Sequence, residues 1–325
     1  MINSLIFLIV GYTSMFAFSG SGDIRRSLFN PLQLERQGKL TLYFSGGFTR
    51  ASENRYQYVY DSYDNTVGKI TVYSHTKFYT DLPDFLTTYR TGKRVFGYLG
   101  SIKFADLNYI FRRKSRDPNY VVREDSVLEQ TGTIRFYKVG AGSQINLFTL
   151  LLGIVYAHGS QDSLTFNGFM PEVGAGFFTP NIDIILHIYP GANLQGDVDK
   201  KLPPVVHGDL TLKAPSKQLD RVTISLTYEN WEKSYSYYHN TIGGMISLYH
   251  TFQDVTTLGV GGSITTSYVD GETYIPTYTL YVSHRLNLME VGSFINYTPF
   301  SYNKSEKIEE SKLSINLFIF IKMNL

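Results

Sequence analysis

Side chains able to do chemistry are scattered through this 325-residue chain without forming a recognisable constellation. The seven His are nowhere grouped at ligand spacing. There is no His-Glu-x-x-His, no Walker loop and no Gly-x-Ser-x-Gly. The absence of Cys excludes disulfides, thiolate metal sites and cysteine nucleophiles. Asp183 and His187 would face the same way on one strand. Four residues of strand rise separate them by roughly 13 Å, too far for a carboxylate to orient an imidazole. The acidic Glu306, Glu309 and Glu310 are interleaved with Lys304 and Lys307 and could attract Ca²⁺ or lipopolysaccharide counter-ions. Arg112, Arg113 and Lys114 could meet lipid phosphates. Both groups are read as solvated loop charges. With 30 Lys+Arg against 28 Asp+Glu, net charge implies no nucleic-acid partner. No catalytic residue, metal or cofactor is expected, and the chain is not read as an enzyme.

The elements that carry these residues have a period of two. From Leu313 every second residue is apolar: Ile315, Leu317, Ile319, Ile321, Met323 and Leu325 follow on one face. Ser314, Asn316, Phe318, Phe320, Lys322 and Asn324 form the other. Such alternation is a strand with one oily face. Left at the edge of a soluble sheet it would invite aggregation. Pairing it with the first strand of a barrel removes the edge. Leu40, Leu42, Phe44 and Phe48 supply a suitable first strand. The 26 Tyr and 22 Phe suit strands and membrane interfaces, where a ring is half apolar and half wet. Mean hydropathy is slightly negative, as a barrel's is when alternate residues face a lumen.

The expected fold is therefore all-β: a transmembrane antiparallel β-barrel of about 14 strands with a short N-terminal segment inside or below it. Strands are predicted near 39–50, 83–90, 94–112, 130–139, 144–158, 166–178, 181–189, 203–214, 219–230, 239–252, 255–266, 273–285, 288–298 and 311–325. Short connections at 91–93, 140–143, 179–180, 215–217, 253–254 and 286–287 alternate with long ones at 51–82, 113–129, 190–202 and 299–310. This is the rhythm of periplasmic turns and external loops. The N-terminus has an apolar core at 5–10 and small residues at Ala17 and Ser19, so residues 1–19 are expected to be a signal peptide. Residues 20–38 then form a plug-like segment and 39–325 the barrel. Localisation in the outer membrane follows, with outer-membrane lipid as a partner.

Inward positions decide what a barrel passes. Leu147, Thr149, Leu151, Gly153, Val155 and Ala157 are expected to face the lumen on one strand. Asp183, Ile185, His187 and Tyr189 do so on another, Met245, Ser247 and Tyr249 on a third, and Thr257, Gly259, Gly261, Ser263 and Thr265 on a fourth. This mixture is unusually apolar and suits a greasy or amphipathic ligand. Leu147, Leu151, Val155, Ile185, Met245 and Tyr249 are the candidate ligand-binding residues. In the third predicted strand Phe96, Tyr98, Ile102 and Phe104 share a face, whereas Leu107, Tyr109 and Phe111 carry the opposite parity. A phase slip near Ala105 and Asp106 reads as a β-bulge. Together with Gly100 these residues are the candidates for a lateral opening.

Several blocks, in order and spacing over nearly the whole chain, resemble the long-chain fatty-acid outer-membrane transporter family (FadL-like). They are Asn30-Pro31 with Glu35-Arg36; Pro83-Asp84-Phe85 through Tyr89-Arg90 and the 91–93 turn; Phe96-Gly97-Tyr98 and Ser101-Ile102; Tyr137-Lys138-Val139; 152–157; and Leu202-Pro203 followed by 226–231. The resemblance implies a 14-strand barrel, an N-terminal plug, a kinked third strand, and hydrophobic ligands released sideways into the membrane. The function expected is passive uptake of hydrophobic, fatty-acid-like small molecules by a monomer. A barrel scaffold for surface or secretion partners and a general porin are the alternatives.

Overall fold

The computed structural model describes residues 30–34, 38–92, 94–106, 109–116, 122–213, 219–234, 236, 238–267, 271, 273–303 and 307–323. The expected signal peptide, residues 20–29 and 35–37 of the plug-like segment, and the 215–217 turn lie outside them.

Eighteen strands are described. They are β1 (Leu40–Tyr60), β2 (Thr66–Thr91), β3 (Val95–Asp106), β4 (Tyr109–Arg116), β5 (Val122–Gln130), β6 (Gly132–Ile145), β7 (Phe148–Gln161), β8 (Leu164–Phe178) and β9 (Ile182–Tyr189). The rest are β10 (Ala192–Gly196), β11 (Lys200–Leu202), β12 (Val205–Lys213), β13 (Arg221–Glu229), β14 (Thr241–Phe252), β15 (Thr256–Thr266), β16 (Tyr274–Leu286), β17 (Met289–Asn303) and β18 (Lys307–Met323). Every pairing is antiparallel. The last strand pairs with the first, from Leu40 opposite Met323 to Tyr56 opposite Lys307. The ring also closes between β8 and β9. Fourteen strands make a closed barrel; β4–β5 is a separate hairpin, and β10–β11 is a kinked continuation of β9 and β12.

The periodicity that marked the strands also sorts their side chains. Leu152, Leu226, Ile242 and Leu317 are more than 60 % exposed and all point outward. Their alternates Leu151, Thr227, Thr241 and Asn316 are buried. A belt of exposed aliphatic residues around a closed barrel requires a hydrocarbon surround. Tyr137, Tyr156 and Phe169 cluster on the outer face, at the height where such rings mark a membrane interface. Short turns at one end place Gly92, Asn146, Gln253, Asp254 and Asn287 at positive φ, as tight hairpins require.

Three expectations change. The long loops are largely strand, because β1–β2 and β17–β18 continue their ladders well beyond the apolar band and 113–129 is largely the β4–β5 hairpin. The predicted third strand divides into β3 and β4. The expected turn at 140–143 is interior to β6, and the chain turns instead at Asn146 and Leu147. Gly140 and Gly142 serve close approach, not turning. A Cβ on Gly142 would sit 2.2 Å from the Phe96 ring, and one on Gly140 2.5 Å from Tyr98. Leu147, expected inside, consequently falls in the turn and is about half exposed.

Candidate functional site

The site is the barrel interior together with the two places where its wall is incomplete. Toward the short-turn end the interior is filled by Tyr43, Leu86, Phe96, Leu151, Phe178, Ile185, Tyr249, Tyr281, Phe294, Phe318 and Phe320, all buried. Tyr281 stacks on Phe318 at 5.6 Å, and Tyr43 stacks on its other neighbour side at 5.8 Å. The N-terminal segment reaches this layer. The one-turn helix α1 (Pro31–Leu34) begins at Asn30, whose Oδ1 accepts the Leu32 N–H at 3.0 Å. Leu32 is fully buried among the same residues, against Gly174 and near the His187 ring.

Above this layer runs a polar belt. Glu172 on β8 is fully buried, with Lys138 Nζ 2.5 Å from Oε1 and His187 Nε2 3.2 Å from it. Tyr189 OH donates to Oε1 at 2.9 Å and Tyr98 OH to Oε2 at 2.8 Å. Tyr98 reaches across three strands because its cross-strand neighbours are Gly140 and then Gly153, with Glu172 next in the row. A Cβ on Gly153 would fall 1.9 Å from the tyrosine oxygen. The belt continues at His207, paired in register with His187. His207 Nδ1 shares a hydrogen with Thr227 at 2.8 Å, and its Nε2 is 3.1 Å from Asp209, which also accepts the Ser225 hydroxyl.

The interior therefore adds a charged belt to the small, aliphatic and hydroxyl side chains expected from four of its strands. Its buried charges Lys138 and Glu172 sit on β6 and β8, whose inward rows were not part of that reading. A charge buried in this way is tolerable only when paired and hydrogen-bonded, and the pairing is between strands, so no single strand reveals it. Asp183 and His187 do share a face, but Asp183 meets Lys213 at 2.6 Å while His187 meets Glu172. Among the described residues no group of three or more His, Asp or Glu could hold a metal ion.

A second apolar cluster lies toward the long-hairpin end: Ala105, Ile134, Phe136, Val155, Ala157, Phe166, Met170, Leu194 and Leu202, with Ile102, Phe104, Tyr189, Ala192 and Val198 against it. It follows the inner wall from β3 across β6, β7 and β8 to the β10–β11 hairpin. Phe104 stacks on Phe136 at 4.2 Å. Of the candidate ligand-binding residues, Val155 belongs to this cluster, while Leu151, Ile185 and Tyr249 belong to the lower one and Met245 is buried on β14.

The upper cluster ends at a wall break on each side. The first is between β2 and β3. Their ladder runs from Thr91 opposite Val95 to Phe85 opposite Ser101 and stops. β3 continues to Asp106 paired only with β6, with a register shift between Lys103 and Ala105. Five residues of β3 thus lack a β2 partner, about 16 Å of strand. Pro83, which has no N–H, sits in the irregular stretch of β2 at this height. A side-chain patch replaces the ladder. Asp84 Oδ1 accepts the Lys103 N–H at 2.8 Å, and Arg135 Nη2 donates to Asp84 Oδ1 and to the Pro83 carbonyl, each at 2.8 Å. Both side chains are buried. Gly100 is in the last intact part of the ladder, opposite Leu86, while Ala105 and the backbone of Asp106 flank the break. The extra residue is Phe104, next to the phase slip expected near Ala105 and Asp106.

The second break was not foreseen. β8 and β9 pair from Phe178 opposite Asp183 to Val173 opposite Ile188. Pairing resumes only where β10 meets β8, at Gln195 opposite Asn167 and Gly196 opposite Phe166. Between them residues 168–172 of β8 have no ladder on this edge, roughly 20 Å between the flanking pairs. Pro171 and Pro190 border the interval and carry no N–H to donate. Here the gap is covered by packing. Gly168 admits the hairpin so closely that a Cβ would stand 2.5 Å from the Asn193 carbonyl oxygen and 2.9 Å from Leu194.

No family model and no curated protein matches the chain. Solved structures do. A Pseudomonas aeruginosa FadL homologue superimposes with a TM-score of 0.65 at 11 % identity, covering 96 % of this chain and 97 % of that one. A mutant of the monoaromatic hydrocarbon channel TodX gives 0.70 at 10 % identity, covering 97 % and 99 %. The Ralstonia pickettii toluene transporter TbuX gives 0.57 at 12 %, covering 94 % and 96 %. Among the described residues the chain has the fold of FadL-like barrels.

Proposed function

We propose that the chain is an outer-membrane channel for passive passage of hydrophobic small molecules, released sideways through the break between β2 and β3. The observation that carries this reading is the upper apolar cluster, which extends through Ile102 and Phe104 to that break. A ligand held there needs no polar exit, since the wall beside it has no backbone ladder to part. Moving the Arg135 and Asp84 side chains is the step that would clear the way. The fold neighbours include channels for toluene and other monoaromatic hydrocarbons as well as a FadL homologue, so both planar aromatics and acyl chains are substrate classes to test. A general porin is disfavoured by the packed interior, where buried aromatic side chains fill the lower layer.

The test is uptake by cells whose outer leaflet of lipopolysaccharide excludes greasy solutes. Labelled toluene and a labelled fatty acid are supplied to cells with and without the protein. Uptake should rise several-fold with one or both, and fall when Leu151 becomes Arg in a barrel that still assembles. Unchanged uptake of both would defeat the reading, as would large ion conductance in a planar bilayer.

A further inference from the structure

The two wall breaks open on the same apolar cluster but are closed by different chemistry. At β2–β3 the closure is a buried ion pair set in the wall, Arg135 with Asp84, reinforced by the Lys103 amide and the Pro83 carbonyl. At β8–β10 the interval 168–172 is closed by the hairpin 190–204, whose Leu194 and Leu202 are buried in the cluster itself. The polar belt touches only its lower rim, where Tyr189 donates to Glu172 inside the lumen. Outward of this interval stands Phe169, about 70 % exposed and packed on Tyr156. A hydrophobic molecule passing the first break must part a desolvated ion pair. One passing the second exchanges its own apolar contacts for those of Leu194 and Leu202, with no charge uncovered.

We propose that the gap between β8 and the 190–204 hairpin is a second lateral doorway, through which hydrophobic molecules pass between the upper cluster and the hydrocarbon surrounding the barrel. The inference rests on the hydrophobic-channel reading above. The hairpin is the moving part. It is bent at Pro190 and Gly191 on one limb and Pro203 and Pro204 on the other. It is fastened to β8 by two register pairs and by Asp197, whose Oδ2 accepts the Thr165 N–H at 2.8 Å and hydroxyl at 3.1 Å. Releasing these frees the doorway; the ladders that close the rest of the barrel stay intact.

Because the chain has no Cys, each break can be pinned by an introduced disulfide. Asn167→Cys with Gln195→Cys joins the hairpin to β8. Phe85→Cys with Ser101→Cys fixes the last pair beside the first break. The probe is 1-N-phenylnaphthylamine, which fluoresces on reaching phospholipid, in cells with an intact lipopolysaccharide leaflet. The oxidised 167–195 variant should take up the dye at least fivefold more slowly than the same cells after dithiothreitol, and Asp197→Ala should raise uptake above wild type. Equal uptake in oxidised and reduced 167–195 cells overturns the doorway, most clearly if the 85–101 pin alone blocks the dye. If the wild-type barrel passes no dye, fatty acid or toluene, the channel reading itself has failed and the doorway falls with it. Recovery on reduction separates a pinned barrel from a misfolded one.

Discussion

The breaks at β2–β3 and β8–β10 are alike in length and in the prolines that border them, yet one is filled by charge and the other by hydrocarbon. Ladder hydrogen bonds are the default way to satisfy backbone groups in a membrane, where none can be left unmade. Where β2 and β3 part, Asp84 and Arg135 take over that task. Where β8 and β9 part, the chain lays a hairpin over the gap. Opening the first requires an uncompensated charge at membrane depth; opening the second releases two register pairs and the exposed Asp197–Thr165 hydrogen bonds, and otherwise exchanges apolar neighbours. The comparison teaches that a gap in a strand ladder is not by itself a passage: what fills it sets the cost of opening and the kind of molecule that can replace the filling.

The largest effect should come from Arg135→Ala. Removing one partner of a buried pair costs about 3–5 kcal/mol, read by urea unfolding in lipid vesicles. A loss below about 1 kcal/mol, the size of an exposed pair, would erase the contrast between the breaks. Leu194→Ala should cost about 2 kcal/mol, the low end for a buried leucine, because the hairpin can settle toward β8. It should also speed dye uptake by loosening the hairpin, and Arg135→Ala should speed it by clearing the exit between β2 and β3. Gly153→Ala should cost about 1 kcal/mol or slightly more through overpacking against Tyr98. Loss of the Tyr98–Glu172 hydrogen bond, seen as a shifted tyrosine ultraviolet Raman band, would accompany it; an unshifted band would mean the ring has room that the structure denies it.

The smallest effect concerns the tall rim of the first break. At the tip of the β1–β2 hairpin, the Asn65 amide, the Asn65 side chain and the Tyr63 amide hold the Asp61 carboxyl below its usual 3.8. A depressed carboxyl stabilises the turn above the unfolded value and loses that support as pH falls through the folded one. Exchange of the Tyr63 and Asn65 amides, corrected for intrinsic rate, should therefore accelerate below about pH 4, with no change in amides around either break.

Much of the barrel was legible from alternation alone. The outward rows of Leu150, Leu152 and Ile154 or of Leu317 and Ile319 are exposed as a period of two requires. The bulge in β3 left a trace as the phase slip expected near Ala105 and Asp106; the register shift falls just before it, between Lys103 and Ala105. What a single strand could not reveal is what meets it from the next. Gly140 reads as a turn former until Tyr98 is seen lying across it. Glu172 and Lys138 lie 34 residues apart in sequence, and only the β6–β7–β8 ladders bring them together. The β8–β10 break left its mark only in Pro171 and Pro190, two prolines some twenty residues apart whose shared height depends on register. The hairpin extensions of β1 and β2 were missed because apolar and polar residues do not alternate strictly along them, as where burial does not enforce a pattern.

The account turns on whether hydrophobic molecules enter the interior at all. A small tritiated aryl diazirine, partitioned into vesicles bearing the protein and activated by light, would mark whatever residues it touches. The result expected is label on the inward residues Met170, Leu194 and Leu202 as well as on the outward Leu150, Leu152 and Ile154, with the inward label reduced when 167 and 195 are joined. Label confined to the outward rows would show a barrel that hydrocarbon surrounds and does not penetrate.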